Sequence, residues 1–292
     1  MIRGGMPITC TATMITRITT MGTTITRTMI TSTMIMGTGR MAATGTRMRA
    51  FVAGGHESRP KPVKAAHMKS GHLLRLLAWL SPAFPVGAFA YSHGLEWAVE
   101  TGDVRDAATL LAWIEDLMRH GTIRSDLVLA ACAARAVAAG DADGLRETSE
   151  LALCLSPTRE RHLETTQQGR SFIETLGAAW PSPAIAKACD VSGQVAYPVA
   201  FGVAVAAHGL ALEPSLSAYA QQFAANLVSA VVRLGAIGQT DGQRVIAALA
   251  EEALGAARFA SGASLDELGS ATFRSDIASL RHETQYSRLF RS

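Results

Sequence analysis

Helix-forming patterns separated by glycine and proline make up most of the chain from Met68 onward. In the stretch from Asp106 to His120, the apolar residues recur at the i, i+3, i+4, i+7 spacing of an amphipathic helix, and Gly121 follows as a stop signal. Alternating runs of β-branched residues, which would indicate strands, are missing from this part of the sequence. The sequence therefore predicts an all-α fold, a single compact bundle of about eight to ten helices.

The predicted helices are rich in alanine, and most of them end at glycine or proline. They span residues 73–80, 88–100, 106–120, 125–139, 145–155, 158–180, 198–208, 214–234 and 240–259. Small side chains at facing positions let helices approach closely, so we expect tight packing. We also expect one apolar face to remain for a partner.

The first 67 residues have a different composition. From Ile8 to Thr38, 24 of 31 positions are Thr, Ile or Met, and most of the exceptions recur every five residues. This low-complexity repeat has neither a helical nor a strand period, so we expect residues 1–67 to be disordered and residues 68–292 to form the folded domain.

Three interpretations of this extension stay open. It has the Arg-rich, acid-poor composition of a targeting peptide, and its Thr and Ile residues would also suit a β-prone tail. The third interpretation is favoured: a tract of His and Asp codons, read one base later, yields only Thr, Ile and Met codons. The segment would then be the shadow of an overlapping gene, with Met68 as the natural start.

The positive charge of the chain lies in this extension. Residues 1–67 contain nine Lys/Arg and one acid, a net charge of +8, whereas residues 68–292 carry a net charge of −5. The folded part is therefore not expected to bind nucleic acid or anionic membranes. Four scattered cysteines without CxxC spacing predict neither disulfides nor a zinc site, as is typical of a cytoplasmic protein. The apolar stretch 195–212 is interpreted as a core helix rather than a membrane span.

Motifs of common enzymes are missing from the sequence. It contains no phosphate-binding loop, no dinucleotide-binding GxGxxG and no GxSxG nucleophile motif. The segment from His282 to Tyr286 resembles HExxH, but Tyr286 occupies the position of the second zinc-binding histidine. We therefore predict that the chain is not an enzyme, and assign no catalytic, cofactor-binding or metal-binding residue.

Three segments contain more specific polar and aromatic residues than helix packing requires. They are LSPAFPVGAFAYSHGLE (residues 80–96), LGAIGQTDGQ (residues 234–243) and DIASLRHETQYSRLFRS (residues 276–292). Purely structural explanations are available for the three segments: in this order, a rigid proline turn, a helix start and a frayed basic tail. The last segment argues against fraying, because aromatic and arginine side chains of this kind are favoured at interfaces.

In order and spacing, these segments resemble those of the UreF family of urease accessory proteins, over residues 73–292; Phe89 is a departure from the family pattern. The resemblance implies an all-α, dimeric, non-enzymatic assembly factor in the cytoplasm. It also implies binding to UreD (UreH), recruitment of the GTPase UreG, and action of the complex on apo-urease. The complex would handle nickel and UreG would bind GTP, with no cofactor bound to this chain.

The resemblance also suggests partner-binding residues. We expect the C-terminal segment to become ordered on docking UreD, with Tyr286 and Phe290 as anchors, and a second surface to face UreG or the dimer partner. The candidates of the C-terminal segment are Arg281, His282, Glu283, Gln285, Tyr286, Arg288 and Phe290. Those of the second surface are Tyr91, Ser92, His93 and Glu96. Two alternative roles stay open: a GTPase-activating or fidelity regulator of UreG, and a nickel conduit between accessory proteins.

Overall fold

A computed structural model describes residues 70–192 and 194–292, together with Thr19–Thr20 and Thr23–Thr24. The chain divides into two units, Met1–Pro62 and Val63–Ser292. In the first unit, strands β1 (Thr19–Thr20) and β2 (Thr23–Thr24) pair antiparallel. The predictions for the rest of residues 1–67 lie outside the described residues, and the domain boundary at Met68 stays a prediction.

The described part of the second unit is helical, which confirms the predicted all-α fold. Its twelve α-helices are α1 (Ser70–Trp79), α2 (Leu95–Glu100), α3 (Ala107–His120), α4 (Thr122–Ala139), α5 (Ala142–Cys154), α6 (Arg159–Ala179), α7 (Pro183–Ser192), α8 (Tyr197–Ala207), α9 (Leu212–Arg233), α10 (Gln239–Ala248), α11 (Ala250–Gly262) and α12 (Phe273–His282). Two short 3₁₀ turns, Ala88–Ala90 and Leu265–Glu267, complete the described helical elements.

The helices outnumber the predicted eight to ten for identifiable reasons. The predicted helix 240–259 is divided at Leu249 into α10 and α11. Helices α7 and α12 lie in segments for which no helix was predicted. The predicted helix 88–100 is shortened to α2, because Gly94 has a φ of 76°, a left-handed conformation that ends helical continuity and favours glycine.

Helix α8 lies at the centre of the bundle, between α4 and α6. Its apolar residues are buried around its whole circumference, as expected for a core helix. At Gly202 the backbone of α8 touches that of α4 so closely that an added Cβ would collide with the carbonyl oxygen of Ala130. The stretch 195–212 thus contains a core helix, α8, as predicted.

In the part of the chain that the structure describes, no helix combines the length and the apolar character needed to cross a membrane.

Candidate functional site

Two of the three segments singled out in the sequence meet in the structure. Residues 283–292, here called the tail, run alongside residues 90–92, which precede α2. The backbone N–H and the Oγ–H of Ser92 both donate to the backbone oxygen of Ser292 at 2.6 Å. The N–H of Arg291 donates to the carbonyl of Ala90 at 2.8 Å. The tail is therefore ordered against its own chain.

Glu96, in the first turn of α2, binds the backbone of the tail through its carboxylate. Its Oε1 accepts a hydrogen bond from the N–H of Leu289 at 2.6 Å, and its Oε2 accepts one from the N–H of Phe290 at 3.0 Å. The same Oε2 lies 3.2 Å from Nε2 of His282. Because Glu96 is buried, these bonds form in a poorly solvated environment and hold the tail in one register.

Helix α6 supplies a second carboxylate to the same network. Oε2 of Glu160 lies 2.7 Å from Nδ1 of His282, and its Oε1 accepts a hydrogen bond from Arg288 at 2.6 Å. His282 is completely buried, with each ring nitrogen beside a carboxylate oxygen. The last turn of α12 is thereby fixed between α2 and α6.

A third carboxylate, Glu164, lies one helical turn further along α6. It accepts a hydrogen bond from the hydroxyl of Ser292 at 2.8 Å and one from the side-chain amide of Gln168 at 3.0 Å. It also pairs with Arg161, and its Oε1 lies 2.7 Å from Nε2 of His93. The end of the tail is thus bonded to a buried ionic cluster inside the bundle.

The charges of this cluster follow from its contacts. Burial would raise the pKa of Glu164, but the charge of Arg161, together with His93 and the Ser292 hydroxyl, lowers it to about 2. Burial, reinforced by the charge of Arg161, lowers the pKa of His93. At neutral pH the cluster therefore contains an ionised carboxylate, a guanidinium and a neutral imidazole.

The backbone at His93 is unusual. Its φ of 56° is the only positive φ at a described non-glycine residue, and Gly94 follows with a φ of 76°. A side chain at Gly94 would collide with the backbone of Ser279 on α12, so glycine is required for this contact. The strained turn brings α2 against α12 and directs His93 into the cluster with Glu164.

Exposed apolar side chains lie on α12 and on the tail. Phe273, Ile277 and Leu280 are 70%, 54% and 51% exposed, and their i, i+4, i+7 spacing places them on one face of α12. Tyr286 and Leu289 of the tail are also exposed. Glu96, Glu160 and Glu164, here called the clamp, bind the tail and the end of α12. The apolar side chains listed above, on α12 and the tail, face solvent.

The structure corrects part of the predicted site. The tail was expected to be unordered before docking, whereas it is bonded to α2 and α6. Phe290 was expected to anchor a partner, but it is only 4% exposed and packs under the guanidinium of Arg233, 4.4 Å from its ring centre.

The other candidates divide by exposure. Tyr91, Ser92, His93, Glu96, His282 and Gln285 are buried, so the predicted second surface does not exist as an open face. Glu283 is partly buried, and its carboxylate accepts a hydrogen bond from the N–H of Glu160 at 3.3 Å. Arg281, Tyr286 and Arg288 are exposed. Their roles in partner binding stay predictions.

Sequence reasoning missed the three residues of α6 on which the tail depends, Glu160, Arg161 and Glu164. One indication was available, since residues 159–171 of α6 include Leu163 as the single large apolar side chain, although the helix packs inside a bundle. Buried polar groups need partners, and these residues find them in α2 and the tail. The 234–243 segment forms the turn before α10 and the start of that helix.

Among the described residues, no group of three or more His, Cys, Asp or Glu side chains is arranged to hold a metal ion.

Comparison with known proteins identifies the family. The family model for UreF matches residues 104–250, which include α3 to α10. A protein of Methylobacterium radiotolerans is 57% identical over 220 residues, 75% of this chain and 96% of the relative. The chain belongs to the UreF family. A relative from Rhodopseudomonas palustris strain BisB5 is 54% identical over 237 residues, 80% of this chain and 98% of that protein.

Both relatives bear the name "Urease accessory protein UreF". The resemblance drawn from the three sequence segments is therefore confirmed. These UreF proteins are named as accessory proteins and not as enzymes. The family match of residues 104–250 includes α6 but neither α2 nor the tail, so it contains only one side of the clamp.

Proposed function

We propose that this chain is a cytoplasmic, non-enzymatic scaffold for urease maturation. It would act with UreD (UreH) and the GTPase UreG on apo-urease, in the GTP-dependent insertion of nickel. Membership of the UreF family and the names of its relatives support this role. Since the sequence has no phosphate-binding loop, the nucleotide switch must come from a partner.

The observation that carries the proposal is the clamp between the tail and the bundle. Three carboxylates bind the tail and the end of α12, the buried Glu96 and Glu164 and the partly buried Glu160, while apolar side chains of the same elements point outward. A pre-ordered surface loses less conformational entropy on association than a flexible one. The arrangement therefore suits a scaffold that presents a fixed surface to a partner.

We assign this surface to UreD, with Tyr286 as an anchor. Large exposed aromatic and aliphatic side chains next to arginines are the residue types that dominate binding energy at interfaces. We assign the second anchor to Leu289 instead of Phe290, because Leu289 is exposed and Phe290 is buried. The buried residues His93, Glu96 and His282 would then act indirectly, by holding the tail in place.

Co-purification with UreD tests this assignment. The double variant Tyr286→Ala and Leu289→Ala should lose UreD, with its helical circular dichroism and thermal midpoint unchanged. Leu254→Ala, at an exposed position of α11, is the matched control and should retain UreD. Retention of UreD by the double variant at wild-type levels would refute the assignment.

A role as a GTPase-activating regulator of UreG is the second candidate, and the exposure of Arg281 favours it. An arginine finger must reach a partner's active site, which excludes Arg161 because it is buried and paired with Glu164. GTP hydrolysis by UreG should then accelerate in the presence of the chain, and Arg281→Ala should abolish the acceleration. An unchanged hydrolysis rate would leave the scaffold role alone.

A homodimer is also proposed. Sedimentation of the purified chain at several concentrations measures its mass directly. A mass of two chains supports the proposal, and a single-chain mass at all concentrations contradicts it.

A further inference from the structure

A small, partly open chamber lies next to the ionic cluster, between the turn before α2, helix α6 and helix α9. Its volume is about 30 Å³, and its polar lining comes from Tyr91, His93, Glu164, Gln168, Gln222 and Asn226. A single water occupies roughly 10–15 Å³ of such space and needs two to four polar partners. The chamber therefore has the size and the lining of a site for a water molecule.

One atom of a residue that lines the chamber requires a partner. Nδ1 of His93 is buried and has no hydrogen-bond partner among the described residues. Nε2 of the same ring is fully engaged, since it lies 2.7 Å from both Glu164 and Arg161. In either tautomer, Nδ1 is then a buried donor or a buried acceptor, and such groups are nearly always satisfied by protein or by ordered water.

The ring cannot easily turn to satisfy this nitrogen within the protein. Phe223 packs edge-on against the ring of His93, with the two centres 4.7 Å apart. A 180° flip of the ring would put Cε1 in the place of Nε2, and Glu164 and Arg161 would both lose their contact with a ring nitrogen. The missing partner must therefore come from the chamber.

Other groups on the wall can complete the coordination of a water. Gln168 uses its amide nitrogen on Glu164 at 3.0 Å, which leaves its oxygen as an acceptor. Gln222 donates to Asn226 at 3.0 Å, which leaves the Asn226 amide N–H groups as donors. Because these groups offer both donors and acceptors, a water can bond to Nδ1 of His93 in either tautomer.

We propose that this chamber is a specific hydration site, in which one ordered water completes the hydrogen bonding of His93. Through His93 and Glu164 the water is linked to the hydroxyl of Ser292, so it belongs to the same polar network that fixes the end of the tail. Gln222, Asn226 and Tyr197 also line a cleft of about 190 Å³, so the chamber and the cleft adjoin. Exchange with bulk solvent would take place there.

A crystal structure of the full chain at a resolution that shows ordered water tests the proposal directly. The expected result is one water within hydrogen-bond distance of Nδ1 of His93 and of the side-chain oxygen of Gln168. An empty chamber, or a direct bond from Nδ1 to a protein group, would overturn it. In solution, NMR of the ¹⁵N-labelled histidines should show cross-relaxation between the His93 ring and a long-lived water.

The variant Gln168→Leu adds an independent measurement. It removes a polar group from the wall at similar volume, so the water cross-relaxation at His93 should fall at least several-fold. Gln243→Leu, at an exposed position of α10, is the matched control and should keep the wild-type signal. A wild-type signal in Gln168→Leu would contradict the assigned coordination, and if this variant fails to fold, the wild-type measurements decide.

Discussion

The backbone N–H of Phe290 donates a hydrogen bond to Oε2 of Glu96 at 3.0 Å, although 194 positions of sequence separate the two residues. The bond places the C-terminal tail on the first turn of α2. It also explains why an aromatic side chain that resembles an interface anchor is buried in its own chain. The surface offered to a partner is consequently formed by the neighbours of Phe290, above all Tyr286 and Leu289.

Replacing Glu96 with glutamine should loosen the tail. The carboxylate accepts from two backbone N–H groups and lies beside His282, whereas an amide offers only one acceptor atom. A buried donor left unsatisfied costs about 1–3 kcal/mol, so we expect a loss of this size in the free energy of unfolding. Limited proteolysis should cut within the tail earlier than in the wild type.

The matched control for this experiment is Glu150→Gln, at an exposed position of α5. It should change neither the stability nor the cleavage pattern. Wild-type protease resistance of the tail in Glu96→Gln would show that Glu96 does not hold it.

The variant Glu164→Gln should be less stable than the wild type at neutral pH. Its free energy of unfolding should also fall less than that of the wild type as the pH is lowered. Although burial opposes ionisation, Arg161 and its neighbours lower the pKa of Glu164 from 4.5 to about 2. A carboxylate whose pKa is lower in the folded state contributes stability above its unfolded pKa, and loses it as the pH falls from about 4.5 toward 2. Breaking a buried ion pair costs roughly 3–5 kcal/mol.

Urea unfolding of wild type and Glu164→Gln at pH 7, 4.5 and 3 measures this contribution. The difference in stability between the two proteins should be largest at pH 7 and should shrink at pH 3. A difference that does not depend on pH would mean that the charge of Glu164 contributes nothing.

The contribution of Asp126 to the stability of the fold should depend on pH in the opposite direction to that of Glu164. Burial raises the pKa of Asp126 from 3.8 to about 7, against the charge of Arg161 and a hydrogen bond from Tyr219. A group whose pKa is raised in the folded state contributes stability that is full below about pH 4, and is lost as the pH rises through 7. Relative to the wild type, Asp126→Asn should therefore become progressively more stable between pH 5 and pH 8.

Thermal unfolding at these two pH values checks the sign. Asp143→Asn, at an exposed position of α5, provides the comparison and should follow the wild type at both. A relative stability of Asp126→Asn that falls with rising pH would contradict the raised pKa.

The contact between α4 and α8 should tolerate no added methyl group at Gly202. Because a Cβ there would collide with the carbonyl oxygen of Ala130, Gly202→Ala should lose about 1–3 kcal/mol through overpacking. Gly177→Ala, in α6, is the matched control, since a Cβ at that position meets no atom within 4 Å. The control should gain up to about 1 kcal/mol from helix propensity. Equal stability of the two variants in urea would disprove the close approach.

Local sequence patterns were sufficient to predict most helices of the fold. The i, i+3, i+4, i+7 spacing gave α3, and proline and glycine marked the ends of several others. The short helix α12 was not predicted, although Phe273, Ile277 and Leu280 have the i, i+4, i+7 spacing of a helix, and these side chains face solvent rather than the core. Its position depends instead on buried polar residues such as Ser279 and His282.

The candidate site was only partly predictable, for a physical reason. The segments containing Glu96 and Tyr286 stood out by composition, but their contact with each other depends on Glu160 and Glu164. These glutamates lie in the polar first half of α6 and look like ordinary solvated residues in sequence. Only the assembled fold shows that α6 places them between α2 and the tail, where each carboxylate binds groups far away along the chain.

The most direct test of the scaffold role is the activation of apo-urease in a reconstituted mixture containing UreD, UreG, GTP, bicarbonate and nickel. With this chain present, we expect nickel to enter urease and urea hydrolysis to appear, and without it both should stay at the background level. The double variant Tyr286→Ala and Leu289→Ala should activate as poorly as the mixture without the chain, whereas Leu254→Ala should activate fully. Equal nickel content and equal urease activity with and without the chain would contradict the account.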